Sequence, residues 1–380
     1  MIEALFFTSV FLLVYTFVGY PVLLMAAARL SPARVPTANP VSGAELSDVE
    51  VIVIVHNGAA FIGAKLDNLL ALDYPKDKLS IRIVLDGCTD HTADVVRQYN
   101  AQNVTLMSFE HQQGKAHGLN AAVAASQAEI LLFTDVRQTL AEDALSLLVA
   151  RLSDPQVAAV SGELVFRQDG INDFGKSMDA YWRYEKFIRE RESVIGSVVG
   201  VTGAIYAMRR EWYQPIPSST LLDDVLIPMQ AVLAGAAVKF ESGVYAFDVP
   251  SNDHAREKKR KTRTLAGNFQ LVQLQPALLS PIKNPLWFQF VSHKMLRLLS
   301  PFLLALIFVS NAMLAQQHAF FAVMMALQLG FYALALLAFW STSARQIRLL
   351  SMIHSFLNLM MYTFYGFLAY IRGSYGELWK

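Results

Sequence analysis

Long apolar stretches without charge lie at both ends of the chain. Residues 4–28 carry no charged side chain, and residues 298–344 contain no Asp, Glu, Lys or Arg. A helix needs about 20 apolar residues to cross a bilayer. The first stretch therefore predicts one spanning helix, the second predicts two helices joined near Gln316, and residues 349–371 predict a fourth. A buried core helix is the alternative for any one stretch, but four together favour a membrane-embedded chain.

Basic side chains flank these stretches on one side only. They occur at Arg29 and Arg34, at Lys294 and Arg297, and at Arg345 and Arg348, whereas the N-terminus and the 315–319 turn have none. Cytoplasmic flanks are enriched in Lys and Arg, so the pattern predicts that residues 30–297 face the cytoplasm. Glu3 stands where a signal peptide would have a basic start, which favours an uncleaved anchor. We expect an integral protein of the inner or plasma membrane.

Between these ends the pattern changes to short apolar runs that alternate with amphipathic stretches. Four β-branched or apolar runs predict strands, at residues 51–55, 81–85, 104–107 and 130–133. Amphipathic stretches such as 59–72 and 91–99 lie between most of them and predict helices. Alternation of strand and helix predicts an α/β fold with a mainly parallel, mixed sheet, whose ligands bind beyond the carboxyl ends of the strands.

The same pattern divides the chain into segments. Residues 31–47 contain three prolines and one glycine with few large apolar side chains, which marks a linker. Residues 276–297 mix Trp287 and Phe290 with basic side chains, and we interpret them as an interfacial helix lying on the membrane. The predicted organisation is an anchor at 1–30, the linker at 31–47, an α/β domain at 48–275, the interfacial segment at 276–297, membrane helices at 298–371 and a tail at 372–380.

Composition excludes several classes of function. The chain of 380 residues is 54% hydrophobic and 17% charged, which is too apolar for an ordinary soluble protein. Its net charge of +1 provides no global basic field for nucleic acid. The single cysteine, Cys88, excludes an internal disulfide and a cysteine-based zinc site. No G-x-G-x-x-G follows the first strand, which argues against a dinucleotide-dependent oxidoreductase.

Polar side chains follow three of the predicted strands. Asn57 comes shortly after the first strand, Asp86 directly after the second and Asp135 shortly after the fourth. Because the carboxyl ends of parallel strands meet at one edge of a sheet, we expect these three residues to lie close together.

Six motifs, in the order in which they occur, resemble the family 2 glycosyltransferases with a GT-A fold, of the membrane-anchored polysaccharide and glycolipid type. They are VIVIVHNGAAFIGAKLDNLL from Val51, LDGCTDHTADVV from Leu85, HQQGKAHGLNAAV, FTDVRQ from Phe133, TLLDDVLIPM from Thr220 and REKKRKTR from Arg256. The resemblance covers about residues 51–270 and rests on the order of the motifs rather than on any single one. It implies a GT-A nucleotide-sugar-binding domain.

The first two motifs imply contacts with the nucleotide of a donor. Asn57 belongs to the opening motif, in which Gly58 stands where the family usually has an acid. The resemblance implies that Asp86 accepts hydrogen bonds from the base. The alternative is a plain strand-to-helix turn in which Asp90 or Thr89 caps the following helix.

The next two motifs imply contacts with a diphosphate. Lys115 would bring its ammonium to that group, and a solvated lysine is the alternative. FTDVRQ resembles the family's metal-binding DxD with Arg137 in place of the second acid. Asp135 would then carry the protein's share of a divalent metal, Mn²⁺ or Mg²⁺. Arg137 would pair with phosphate or with a neighbouring acid.

TLLDDVLIPM resembles the acidic motif on the family's acceptor side. The resemblance implies that Asp224 is the base that removes the proton of the acceptor hydroxyl, and that Asp223 is the acid before it. Two carboxylates at a helix start are also a common capping arrangement, which is the alternative. The stretch VTGAIYAMRR from Val201 resembles the segment that lines the acceptor site.

The basic run has two interpretations. Aligned with the family's QxxRW, Arg263 matches the arginine and, with Arg260, would bind the donor, while Arg260 and Thr264 replace the Gln and the Trp. The other interpretation is an electrostatic latch onto anionic lipid. The missing Trp disfavours a processive enzyme, because that residue belongs chiefly to processive synthases.

Together the motifs predict an inverting transferase that moves a sugar from a UDP-sugar to a lipid-linked or growing glycan acceptor, in exopolysaccharide, cell-surface glycan or glycolipid synthesis. Its partners would be the donor, the acceptor, membrane lipid and other proteins of a glycan assembly system, and not nucleic acid. One alternative is a processive synthase that also secretes its product. The other, motivated by Gly58 and Arg137, is an inactive nucleotide-sugar sensor or assembly scaffold.

Overall fold

The computed structural model describes most of the chain, namely residues 1–31, 46–99, 103–166, 173–249 and 254–373, with side chains of the helices at 173 and 254 described from 182 and 257 onward. The predicted linker at 31–47 lies almost entirely outside the described residues. So does the predicted tail at 372–380, apart from its first two positions.

Within the described residues, eight strands form one sheet. They are β1 (Val49–Val55), β2 (Leu79–Asp86), β3 (Val104–Phe109), β4 (Ile130–Phe133), β5 (Thr139–Leu140), β6 (Val157–Phe166), β7 (Tyr206–Arg209) and β8 (Ala237–Asp248). Their order across the sheet is β3-β2-β1-β4-β7-β6-β8-β5. The first four strands are mutually parallel, whereas β7 runs antiparallel to both of its neighbours. The four predicted strands and the mainly parallel, mixed sheet are confirmed.

Helices cover both faces of this sheet. Three of them connect the four parallel strands, namely α2 (Ala59–Leu70), α3 (Thr92–Arg97) and α4 (Lys115–Ala125). The other α-helices of the described α/β region are α5 (Ala144–Arg151), α6 (Asp173–Ile195), α7 (Asp223–Leu233) and α8 (His254–Leu274). Successive side chains of β1 point to opposite faces, so Val53 packs in one apolar layer and Ile52 in the other. Burial on both faces explains why β1 is a continuous apolar run.

In the described part of the chain, three helices are long and apolar enough to cross a membrane. They are α1 (Ile2–Leu30), α9 (Trp287–Leu314) and α10 (Ala319–Trp340). The predicted pair of helices that meets near Gln316 is therefore present. The fourth predicted stretch also forms a helix, α11 (Arg348–Ile371). This helix is not among the three that are both long and apolar enough to cross a membrane. Polar side chains such as His354 and Asn358 lower its hydropathy although it contains no charge between residues 349 and 371.

Helix α11 packs closely along α8. A Cβ atom added to Gly366 would lie 2.7 Å from the Cβ of Leu265, so this approach requires glycine. The rings of Phe269 and Tyr370 stack with their centroids 5.9 Å apart. Helix α8 is thus held against the C-terminal half of α11, which gives α11 an apolar partner inside the protein.

The predicted interfacial segment differs from the expectation of a separate helix. From Trp287 onward the segment forms the first part of α9, which contains a π-helical turn at Phe290–Met295. Phe290 is fully buried in the apolar layer on one face of the sheet. The segment therefore joins the α/β domain to the apolar helix.

Buried polar contacts at this junction explain the difference. The imidazole of His293 lies 2.9 Å from a carboxylate oxygen of Glu192 and 2.9 Å from one of Glu185, both on α6. Arg297 donates a hydrogen bond of 2.8 Å to Glu185, and the hydroxyl of Tyr20 donates one of 2.6 Å to Glu192. Helices α1, α6 and α9 thus share one network, because buried charges need such partners.

Candidate active site

The expected gathering of polar groups at the carboxyl edge of the parallel strands is present, and it begins with Asn57. This residue follows β1 with a left-handed φ of +51°, and its side-chain oxygen accepts a hydrogen bond of 2.8 Å from the backbone N–H of Thr89. Asn57 therefore ties the loop after β1 to the loop after β2. Its side chain is exposed to solvent.

Local packing explains why Gly58 occupies the position at which the first motif usually has an acid. A Cβ atom on Gly58 would lie 2.5 Å from a methyl group of Val55, which is closer than packed carbon atoms approach. The backbone N–H of Gly58 donates to the hydroxyl of Thr92 at 2.9 Å. Gly58 thus lets the start of α2 pack against both β1 and α3, and the site lacks this carboxylate.

Asp86 ends β2 and is buried, and both of its carboxylate oxygens are engaged. They accept hydrogen bonds from the backbone N–H groups of Gln113 at 2.6 Å and Gly114 at 2.9 Å. Gly114 has a φ of +95°, which glycine adopts without steric cost. Asp86 therefore holds the loop that precedes Lys115.

The capping role considered for this motif belongs to Asp90. Its carboxylate accepts from the backbone N–H of Ala59 at 3.0 Å and from that of Thr92 at 3.1 Å. Asp90 thus serves the starts of both α2 and α3, which is the capping that the alternative interpretation of this motif expected.

Lys115 links two acidic motifs that are far apart in the sequence. Its Nζ lies 3.0 Å from Oδ1 of Asp135 and 3.1 Å from Oδ2 of Asp223. Burial lowers the pKa of Lys115, but the charges of Asp135, Asp223 and Asp224 raise this pKa by more, so it lies above its ordinary value. The ammonium is therefore charged at any physiological pH, and the alternative of a solvated lysine does not hold.

Asp223 and Asp224 open α7 and have different environments. The side chain of Asp223 is buried beside Lys115, whereas that of Asp224 is partly exposed. Burial and then the charge of Asp223 raise the pKa of Asp224 to about 6, against the opposing charges of Lys115 and Lys294. A carboxylate with a pKa near the working pH is suited to accepting a proton.

The segment from Val201 packs against these carboxylates. The backbone N–H of Val201 donates a hydrogen bond of 2.8 Å to the carbonyl oxygen of Asp224. A Cβ atom on Gly203 would lie 3.5 Å from Oδ2 of Asp224 and 3.7 Å from Nζ of Lys115. This segment therefore borders the side of the site at which Asp224 is open.

The DxD-like loop presents one accessible carboxylate. The side chain of Asp135 is 44% exposed, while Arg137 donates a hydrogen bond of 3.1 Å to Asp248 at the end of β8. Gln138 donates to the other oxygen of Asp248 at 2.8 Å. Of the two partners expected for Arg137, the structure shows the neighbouring acid.

The described residues contain no group of three or more His, Cys, Asp or Glu side chains that could hold a metal. Mg²⁺ and similar ions at phosphate-transfer sites commonly use one or two carboxylates together with substrate phosphates and water. Asp135 is accessible, and its carboxylate already binds the cation of Lys115. Among the described residues, Asp135 would thus be the carboxylate available to a divalent ion, and a bound diphosphate would have to supply further ligands.

The structure separates the two arginines of the basic run. Burial lowers the pKa of Arg263 below its ordinary value, against the opposing charges of Asp135, Asp223 and Asp224. Arg260 instead makes two hydrogen bonds of 3.0 Å to Glu257 on its own helix. Arg263 is therefore influenced by the acidic residues of the site, whereas Arg260 is paired with Glu257.

The lysines of the run contact aromatic rings of α11. The Nζ of Lys258 lies 5.0 Å from the ring centre of Tyr365, and that of Lys261 lies 5.6 Å from the ring centre of Tyr362. These distances are typical of cation–π contacts. Two lysines of the run therefore face α11 rather than the strand ends.

Sequence reasoning missed three residues around the site. Asp248 lies far along the chain from the loop it holds, and Lys294 was interpreted only as a charge beside a membrane helix. Gln270 accepts from the backbone N–H of Leu221 at 3.0 Å and donates to the carbonyl oxygen of Ser219 at 2.8 Å. It thereby holds the loop before Asp223. The only available signal was a polar residue at a core-facing position of α8.

Two family models match the chain. The model of Glycosyl transferase family 2 matches residues 50–216, and that of Glycosyl transferase family group 2 matches residues 134–371. Both ranges contain Asp135, and the second contains Asp223, Asp224 and Arg263. The matched ranges thus include most of the site.

Curated relatives resemble part of the chain. Beta-monoglucosyldiacylglycerol synthase of Synechocystis is 25% identical over 190 residues, which are 48% of this chain and 40% of that protein. An N-acetylglucosaminyltransferase of Rhizobium meliloti is 28% identical over 207 residues, 53% of this chain and 48% of that protein. The chain thus spans less than half the length of these relatives.

One solved structure resembles almost the whole chain. It is mannosyltransferase PcManGT from Pyrobaculum calidifontis, determined in complex with GDP-Man and Mn²⁺. The TM-score is 0.71 and the sequence identity 25%, over 98% of this chain and 99% of the other. The predicted GT-A fold with its apolar helices is confirmed. Since the second family model alone matches more than half of the residues, the chain belongs to the family 2 glycosyltransferases.

Proposed function

We propose that this chain transfers a sugar from a UDP-sugar to a hydroxyl group of a lipid-linked or growing glycan acceptor, with inversion, at the membrane surface. The observation that carries the proposal is the contact of one ammonium, that of Lys115, with Asp135 and Asp223. It joins the motif assigned to the donor to the motif assigned to the acceptor.

The donor side would be formed by the residues at the strand ends. Asn57 would contact the nucleotide, and the charged groups of Lys115 and Arg263 would face its diphosphate. Asp86 would have to accept from the base in addition to the backbone N–H groups that its two oxygens already bind. A divalent ion, Mn²⁺ or Mg²⁺, held by Asp135 would supply further positive charge to the leaving group. Arg137 and Arg260 already have carboxylate partners, so either would have to exchange that partner to bind the donor.

On the acceptor side, Asp224 would act as the general base. The acceptor oxygen attacks the anomeric carbon on the face opposite the nucleotide, and its proton passes to the carboxylate of Asp224. The bond from the anomeric carbon to the diphosphate oxygen breaks, and its electron pair leaves with UDP. A single displacement of this kind inverts the configuration. A pKa near 6 leaves most of Asp224 ionised at neutral pH and therefore able to accept the proton.

A membrane-bound acceptor agrees with the position of the apolar helices. Helices α1 and α9 contact α6 through the buried network of Glu192, Tyr20 and His293, which places two candidate spans directly against the α/β domain. One curated relative is named for the synthesis of a glucosyldiacylglycerol. We infer that the acceptor hydroxyl is presented from the membrane surface.

A donor screen tests the proposal. Native membranes containing the full chain would be incubated with individual UDP-sugars and with GDP-mannose, and hydrolysis, transfer and product size would be measured. We expect one UDP-sugar to be used, with an inverted anomeric product. Use of GDP-mannose alone would show that the nucleotide is wrong, whereas no turnover of any donor would favour the inactive sensor. Long products would favour polymer synthesis, the activity named for a Staphylococcus aureus relative.

A further inference from the structure

A buried lysine lies beneath the loop that carries Asp135. Lys65, on α2, is 2% exposed, and its ammonium donates hydrogen bonds of 2.8 Å to the hydroxyl of Thr134 and 2.7 Å to the carbonyl oxygen of Gln138. These two partners stand on either side of Asp135. One buried amino group therefore spans both ends of a five-residue loop.

The position is an unfavourable one for a charge. Lys65 lies on the face of α2 whose neighbouring residues, Ile62, Leu66 and Leu69, are fully buried in the apolar core. Burial lowers the pKa of Lys65 to about 7, against the opposing charge of Asp135. A buried charge destabilises a fold unless it is well paired, and an apolar residue of similar size often does as well. Stability of the core alone therefore does not account for a lysine here.

The contacts of Lys65 restrict the loop rather than the core. The hydroxyl of Thr134 accepts from Lys65 and donates to the carbonyl oxygen of Ala204 at 2.7 Å, which ties the loop to the segment before β7. At the other end, Arg137 and Gln138 are held by Asp248. Between these anchors, the carboxylate of Asp135 projects from the loop and is accessible.

Arg137 stands where the related motif has its second acid. The restriction of the loop therefore acts on its one carboxylate, that of Asp135. Asp135 is the one carboxylate of this loop, so its position relative to Lys115 depends on the loop backbone, because no second carboxylate of the loop contacts that ammonium. We propose that Lys65 is a positioning residue, which fixes the Thr134–Gln138 loop so that Asp135 meets Lys115 and a divalent cation bound to the donor diphosphate. The proposal rests on the donor site described under the proposed function.

The test compares Lys65→Met with the wild type in two measurements. Purified full-length protein is titrated with MnCl₂ in the presence of UDP, and separately of GDP, and its thermal unfolding is followed. In the presence of nucleotide, we expect Lys65→Met to bind Mn²⁺ about 10–100-fold more weakly than the wild type. This is the usual effect of removing a residue that orients a metal ligand. The unfolding temperature should stay the same or rise, since a buried charge has been replaced by an apolar side chain.

Lys239→Met is the matched control. The ammonium of Lys239 also donates to two backbone oxygens, those of Ser193 at 3.1 Å and Gly196 at 2.5 Å, and neither residue borders Asp135. This variant should bind Mn²⁺ and UDP as the wild type does. A loss of affinity in Lys239→Met equal to that in Lys65→Met would contradict the proposal, because general loosening of the fold would then explain both.

A double-mutant cycle with Asp135→Asn identifies the route of the effect. If Lys65 acts through Asp135, Lys65→Met should lower Mn²⁺ affinity much less in the Asp135→Asn background than in the wild type. Additive losses, or an unchanged affinity in Lys65→Met, would overturn the proposal. Should Lys65→Met not fold, Thr134→Val removes one partner of Lys65 at similar volume and should weaken Mn²⁺ binding in the same direction. A wild type that binds no Mn²⁺ with either nucleotide would remove the donor site and this inference together.

Discussion

Lys115 and Asp223 are 108 positions apart in the chain, and Nζ of the first lies 3.1 Å from Oδ2 of the second. The same ammonium lies 3.0 Å from Asp135. Because this contact joins the diphosphate motif to the acidic motif of α7, a charge that arrives on either side changes the electrostatic environment of the other. A bound diphosphate would compete with Asp135 and Asp223 for the ammonium of Lys115. The negative charges of Asp223 and Asp224 would then be less well balanced by positive charge.

The pH dependence of transfer follows from Asp224. Burial and the charge of Asp223 raise its pKa to about 6 from an ordinary value of 3.8. A general base must be ionised, so kcat/KM should decrease as the pH falls through about 6, with a slope of one proton. In Asp223→Asn the neighbouring negative charge is absent, and the acid limb should move to lower pH. A pH profile of both proteins checks this, and an unmoved limb would assign the limb to another group.

The two interpretations of the basic run lead to different mutational outcomes. Arg263→Ala should reduce transition-state stabilisation by about 2–4 kcal/mol, the scale of losing a preorganised charge contact. Lys258→Ala removes an equal charge from an exposed position of the same helix and should reduce kcat/KM little. Equal and small losses at both positions would favour the lipid latch, which liposome binding with and without anionic lipid would then test.

Transfer activity should depend strongly on a divalent ion and on the carboxylate of Asp135. Asp135→Asn should lower the transfer rate by about 10²-fold or more, since it removes the one accessible carboxylate of the loop. Activity of the wild type should disappear in chelator and return with Mn²⁺ or Mg²⁺. Affinity for the ion should be modest without nucleotide, because the protein supplies few ligands. Full activity in excess chelator would contradict a metal-dependent site.

Cysteine labelling tests the predicted orientation of the chain in the membrane. In a background in which Cys88 is replaced by serine, Gln317→Cys lies in the turn between α9 and α10, and Lys283→Cys lies in an exposed turn shortly before α9. An impermeant maleimide added outside intact cells should label Gln317→Cys and not Lys283→Cys. Labelling of Lys283→Cys from outside, or of Gln317→Cys only after the cells are opened, would reverse the predicted orientation.

The parts of the fold that could be predicted depend on local patterns. The strand β1 and the helix α2 follow from continuous burial and from amphipathic spacing, which local sequence shows directly. The position of Asn57, Asp86 and Asp135 at one edge follows from parallel topology alone. These features need no knowledge of distant partners.

The parts that could not be predicted depend on partners far along the chain. Arg297 looked like a charge at a membrane boundary, but it pairs with Glu185, 112 positions earlier. The sequence left phosphate and a neighbouring acid open as partners of Arg137, and only the fold identifies the acid as Asp248. Lys65 lies in the stretch 59–72 that amphipathic spacing predicts to be a helix, and only the fold shows that it is buried under the Asp135 loop. Charges are the residues whose role is hardest to assign from sequence, because burial and pairing decide it.

The most direct measurement is of binding and transfer in parallel for Asp224→Asn and Asp223→Asn. Asp224→Asn keeps the size and most hydrogen bonding of the side chain but removes the proton acceptor. Its transfer rate should fall by about 10²–10⁴-fold, the contribution of general-base catalysis, with UDP affinity by calorimetry unchanged. Asp223→Asn should lose less, since Asp223 holds Lys115 without taking the proton. Near-normal transfer by Asp224→Asn, or a larger loss in Asp223→Asn, would contradict the assignment of Asp224 as the base.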